Sequence, residues 1–274
     1  GTTKAENCTA IGGGGNGTGD VTINGGIVTA VATTTGSAIG GGIGFHSNGG
    51  VGKVTITGGN VYAYNFANRW NIPSSAIGGG GTMESTVSKG TTINISGGNI
   101  YAESDLGTAI GGGSSYEQSG GEATINISGG KVVAKSNTNS AGIGGGCSIT
   151  KGSSSSKLNG GDAIVNISGN PIIRTGSIGG GTTGAGQGKI GSAQITISGG
   201  DIQAQFVMMN TGTETKPKFE MSGGTIRNSY VDDEEYIHIK KQGGAVYLED
   251  GTFTMSGGTI KNCSAVQGGA VYIA

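Results

Sequence analysis

Apolar and polar residues alternate along most of this chain, in short runs that recur around a pair of glycines. The phrases VTITGGNVYA (Val54 to Ala63), INISGGNIYA (Ile93 to Ala102) and INISGGKVVA (Ile125 to Ala134) show the pattern most plainly. VTINGGIVTA, VNISGNPIIR, ITISGGDIQA, FEMSGGTIRN and FTMSGGTIKN are variants of it. A period of two puts successive side chains on opposite faces, which is the mark of a strand and not of a helix. The first glycine of each pair, or its counterpart, is Gly25, Gly58, Gly97, Gly129, Gly169, Gly199, Gly223 or Gly257, so the phrase returns at unequal intervals of 24 to 40 residues. A second phrase is interleaved with the first: Ala-Ile-Gly-Gly-Gly beginning at Ala10, Ala38, Ala76 and Ala109, with Gly142 and Ser177 replacing the alanine in two further copies.

Each repeat therefore predicts one short strand before the glycine pair, one after it, and a third at the isoleucine ahead of the glycine triplet. Strands so short need neighbours on both sides, and repeats of this kind stack. The expected fold is all-β, a right-handed parallel β-helix solenoid of about eight coils with three short strands per coil. Handedness follows from the general rule for parallel crossovers. Val21, Ile23, Val54, Ile56, Ile93, Ile95, Ile125 and Ile127 should point inward, followed past the corner by Val28, Val61, Ile100 and Val132. Residues 1–274 read as a single β-helix whose coil style changes near residues 205–220. Because Asn7-Cys8-Thr9 and Asn262-Cys263-Ser264 open the same kind of segment, the chain is expected to be cut within a coil at both ends, as a piece of a longer array.

Composition sharpens this picture. Glycine supplies 62 of 274 residues and proline only 3, without the every-third-residue spacing of collagen. A net charge of −1 with scattered lysines and arginines gives no general attraction for nucleic acid, and no apolar run is long enough to insert directly into a membrane. Cys8, Cys147 and Cys263 lack the paired spacing of a zinc site or disulfide framework. The glycine triplets precede no helix and no Gly-Lys-Ser/Thr, so no phosphate-cradling loop is expected, and nothing calls for a cofactor. GGGNGTGDV (Gly13 to Val21) departs from a calcium-binding nonapeptide because Asp20 is out of register.

On a solenoid, chemistry must sit on outward columns or in loops. One outward column, Thr22, Thr55, Asn94, Asn126, Asn166, Thr196, Glu220 and Thr254, is polar and nearly uncharged. Another is expected to run Thr29, Tyr62, Tyr101, Val133, Ile173, Gln203, Arg227 and Lys261, with Tyr62 stacked on Tyr101. Beside it the loop from Tyr64 to Pro73 carries Phe66, Arg69 and Trp70. Tyr62, Tyr64, Phe66, Arg69, Trp70 and Tyr101 form the candidate binding set, since aromatic faces suit the C–H faces of sugars or a partner's side chains. The plainer alternative is that this loop folds down as a small satellite core. Glycoside hydrolysis would need two convergent carboxylates. Asp201 with Glu220 and Glu103 with Asp105 are the best candidate pairs, and ordinary surface is the competing account. Asp232, Asp233, Glu234 and Glu235 are a weak metal candidate that also reads as a solvated loop tip. His46 and His238 are too many coils apart to share a role.

The phrases GSAIGGG, ITISGG and GGAVY resemble the repeats of large secreted or wall-anchored proteins of gut and anaerobic Gram-positive bacteria with pectate-lyase-like right-handed β-helices. That resemblance implies an extracellular or cell-surface adhesin-type module, non-catalytic, binding carbohydrate or acting as a stalk, and monomeric within a larger chain. Two alternatives stay open: a polysaccharide-degrading hydrolase or lyase of the β-helix class, and an adhesin for a host surface protein. Fold does not choose among them.

Overall fold

Every described strand of the longer ladders runs parallel to its neighbours, and the chain closes into a parallel β-helix solenoid. The structure, a computed structural model, describes residues 2–5, 9–33, 35–44, 49–66, 74–82, 90–116, 118–137, 140–149, 158–183, 188–208, 216–227 and 242–274. A first ladder precedes the glycine pair and includes Gly19–Ile23, Gly52–Ile56, Thr91–Ile95, Ala123–Ile127, Ala163–Ile167 and Thr252–Met255. A second follows the pair, with Thr2–Ala5, Ile27–Ala32, Asn60–Asn65, Asn99–Ser104, Lys131–Ser136 and Thr259–Lys261. The third consists of the pairs Ile11–Gly12, Ile39–Gly40, Ile77–Gly78, Ile110–Gly111 and Ile143–Gly144, continued by Val246–Leu248 and Val271–Ile273. The longer strands Ile172–Gly179, Ala193–Met208 and Lys218–Arg227 pass from one ladder to the next without a break.

Alternation builds the core directly. The column Val21, Val54, Ile93, Ile125, Val165, Ile195, Phe219, Phe253 is held in register by the first ladder. The third ladder stacks Ile11, Ile39, Ile77, Ile110, Ile143, Ile178, Phe206, Val246 and Val271. Between them Ala30, Ala63, Ala102 and Ala134 keep the interior narrow. Toward the C-terminal end larger residues take over, and Phe219 packs edge-on against Phe206 at 5.2 Å and flat against Phe253 at 5.3 Å. The described strands on either side of residues 209–215 pair in register while the core filling changes from isoleucine to phenylalanine.

Glycine is required where coils approach most closely. Gly78 has φ +134°, and a Cβ there would fall on the carbonyl oxygen of Gly111 in the next coil. At the other corner Gly59 turns the chain with φ +93°.

One expectation fails at a corner. Ile173 does not point outward: it is fully buried and pairs with Val132, while Arg174 takes the outward place beside Val133. Asn170-Pro171 makes this corner one residue longer than the Gly-Gly corners, because Lys131 pairs with Ile172, and the alternation downstream shifts by one. The polar column of the first ladder is as expected, with the Asn126 amide donating to Asn94 Oδ1 at 2.8 Å and Asn166 to Asn126 Oδ1 at 2.9 Å.

Candidate functional site

The outward face of the second ladder gathers most of the described chemistry. Strand alternation sends Tyr62, Tyr64 and Phe66 to the same side as Tyr101, Glu103 and Asp105 of the next coil. Register then places Tyr62, Tyr101, Val133, Arg174 and Gln203 in one column, and Tyr64, Glu103 and Lys135 in the next.

Tyr62 and Tyr101 are paired through their backbones, yet the ring that meets Tyr101 is Tyr64, at 5.7 Å between centroids. Tyr64 also stacks on Phe66 at 5.3 Å with 27° between the planes. Long side chains lean along a strand, so the diagonal neighbour is reached in place of the one directly opposite. Tyr62 and Phe66 keep 39% and 42% of their surface exposed, which leaves open aromatic area beside the packed rings. Arg69 and Trp70 lie outside the described residues, as do Asp232, Asp233, Glu234, Glu235, His46 and His238.

A polar edge borders the rings. The Tyr101 hydroxyl donates to Glu103 Oε2 at 2.8 Å, and the Asn137 amide donates to both Glu103 Oε1 at 3.0 Å and Asp105 Oδ1 at 2.8 Å. Lys135 Nζ lies 5.4 Å from the Tyr101 ring centre, within cation–π range. Partial burial pushes the Glu103 carboxyl up, but the hydrogen bonds from Asn137 and Tyr101 and the Lys135 charge outweigh it and hold the group below its ordinary value. Burial, with the hydrogen bond to Glu103, raises the Tyr101 phenol. One candidate pair, Glu103 with Asp105, is therefore brought onto a single amide.

The other pair is not brought together. Asp201 lies on the second ladder between Ile172 and Thr225, whereas Glu220 lies on the first ladder between Thr196 and Thr254, with the Gly223-Gly224 corner intervening. Arg227 grips Asp201 through Nε and Nη2 at 2.7 Å each, and Arg174 Nη2 adds a third bond at 3.0 Å. Arg227 first, then Arg174, lowers the Asp201 carboxyl to about 2 against the pull of burial. Glu220 pairs with Lys218 at 2.8 Å in an exposed position.

Past Lys135 and Asn137 the surface dips into an open groove of about 460 Å³, lined among others by Ser140, Arg174, Thr175 and Gln203. A second cleft of about 320 Å³ opens at the leading edge of the first ladder, with Glu122 and Asp162 in its wall and the Ser192 amide donating to Asp162 Oδ1 at 2.7 Å. Sequence reasoning missed Lys135, Asn137, Arg174 and both hollows. The acidic residue after the glycines in GGEATINIS and GGDAIVNIS was a usable signal for the second one. Among the described residues no three His, Cys, Asp or Glu side chains converge as metal ligands. Cys147 is a buried free thiol pushed up by burial, and Cys263 is free and half-buried. No protein-family model, curated protein or solved structure matches the chain.

Proposed function

We propose that this protein is a non-catalytic carbohydrate-binding module of an extracellular bacterial surface protein, with Tyr62, Tyr64, Phe66 and Tyr101 as the sugar platform. The observation that carries this reading is the adjoining set of rings Phe66, Tyr64 and Tyr101, facing outward and edged by Glu103, Asp105 and Asn137. Flat apolar faces beside acceptors and an amide match a pyranose, which has C–H faces and an equatorial ring of hydroxyls. The surface setting rests on the resemblance of the repeats, which also keeps a host surface protein as an alternative partner.

The enzymatic reading has one observation in its favour, the shared amide between Glu103 and Asp105. A hydrolase of this type also needs a carboxylic acid that holds its proton near neutral pH. The environments of Glu103, held below its ordinary value, and of Asp201, held at about 2, favour the charged carboxylate and so support the binding reading. Retention of the protein on insoluble polysaccharides, with chromatography of the supernatant for released sugars, tests both readings. Retention that falls by about tenfold or more in Tyr64→Ala, with no products, is expected. Released products that disappear in Glu103→Gln would replace binding by catalysis.

A further inference from the structure

The platform and the groove share a wall. Asn137 holds Glu103 and Asp105 at the edge of the platform, Lys135 lies over Tyr101, and the same two residues form the near lip of the groove. The column Tyr62, Tyr101, Val133, Arg174, Gln203 runs through both, one residue per coil, parallel to the solenoid axis. Its five coils span roughly 20 Å at the usual strand spacing.

Local departures from the repeat shape the groove. In the alanine-isoleucine phrase Gly142 stands where the preceding copies have buried Ala38, Ala76 and Ala109, and a Cβ at Gly142 would collide with Thr175 Oγ1. The next coil crosses from the second ladder to the third through Thr175-Gly176 alone, with the register slipping between Arg174 and Ser177. Its predecessor takes the longer path past Asn137 and Ser140, so the shortened crossing leaves a step. Thr175 backs that step, opposite buried Ala134 in the register, with its Oγ1 buried against Gly142.

Resting on the platform reading above, we infer that platform and groove form one axis-parallel cleft for an internal stretch of an extended polysaccharide. In such a chain each sugar advances by about one strand spacing, so each spans the step from one coil to the next and the four steps between the five coils engage roughly four sugars. The rings hold the first units, Lys135 and Asn137 the middle, and Gln203 the hydroxyls of the last. A peptide fits less well, because strands in the middle of a stack have both edges paired and offer no main-chain bonds on this face.

Calorimetric titration with cello-, xylo-, manno- and chito-oligosaccharides of graded length, from disaccharide to hexasaccharide, tests the inference. Affinity in the series that binds is expected to rise about tenfold or more between the disaccharide and the tetrasaccharide and then level off. Gln203→Ala and Gln203→Leu, with unchanged melting, are expected to lose that gain while binding the disaccharide as well as the native protein does. Affinity already complete at the disaccharide, or variants that weaken short and long ligands alike, would overturn the axial cleft and leave the platform standing. No binding in any series would overturn the platform reading and the cleft with it.

Discussion

At Asp201 a single carboxylate accepts three bonds from two arginines on different coils, and the consequence is a pH dependence with a definite sign. Its folded value of about 2 lies below the ordinary 3.8, so the stabilisation is complete above the ordinary value and is lost as pH falls toward about 2. Asp201→Asn should lower the melting temperature at neutral pH and flatten its decline on acidification, as differential scanning calorimetry at stepped pH would show. The effect should be modest, because Asp201 and both arginines are about a third exposed and screened by solvent. The glycine seam is harsher. Gly78→Ala puts a methyl group on the Gly111 carbonyl at φ +134° and should cost roughly 3 kcal/mol or more in urea titrations.

At the scale of strands and corners, most of the fold was legible and the reason is simple. Alternation with a period of two fixes which face is buried, and a shifted register would expose every isoleucine, so the columns of Val21 and Thr22 could be written from the sequence alone. What could not be read depends on lengths between the phrases. The corner Gly169-Asn170-Pro171 is one residue longer than Gly-Gly, and only the paired backbone shows that Arg174, not Ile173, faces outward. The platform was half legible: Tyr62, Tyr64, Phe66 and Tyr101 follow from alternation. The lean of Tyr64 onto Tyr101, and the reach of Asn137 back to Glu103 and Asp105, are side-chain geometry that no spacing encodes. The Asn94, Asn126, Asn166 ladder gives an element-scale prediction. Asn126→Ala breaks both bonds of the ladder's middle member and should destabilise by about 1–2 kcal/mol, read as a lower urea midpoint with an unchanged slope.

Over the whole molecule stability should be graded along the axis, since each coil contacts chiefly its neighbours. Ile125 is fully buried between Ile93 and Val165, while Phe253 is half-buried and Met255 and Ile273 are exposed at the C-terminal coil. Ile125→Ala should cost about 2–5 kcal/mol and Phe253→Ala less than other buried phenylalanines. Amide exchange should be slowest in Thr91–Ile95 and Ala123–Ile127, which are paired on both edges. The proposed binding face lies along the side of the solenoid, where columns of unlike residues repeat at the strand spacing. The most direct measurement is a glycan array probed with the native protein and with the double variant Tyr64→Ala/Tyr101→Ala, after confirming equal melting. Binding to extended saccharides by the native protein, lost in the variant, is the predicted result. Equal binding by both proteins, or none by the native one, would contradict a sugar platform on the second ladder.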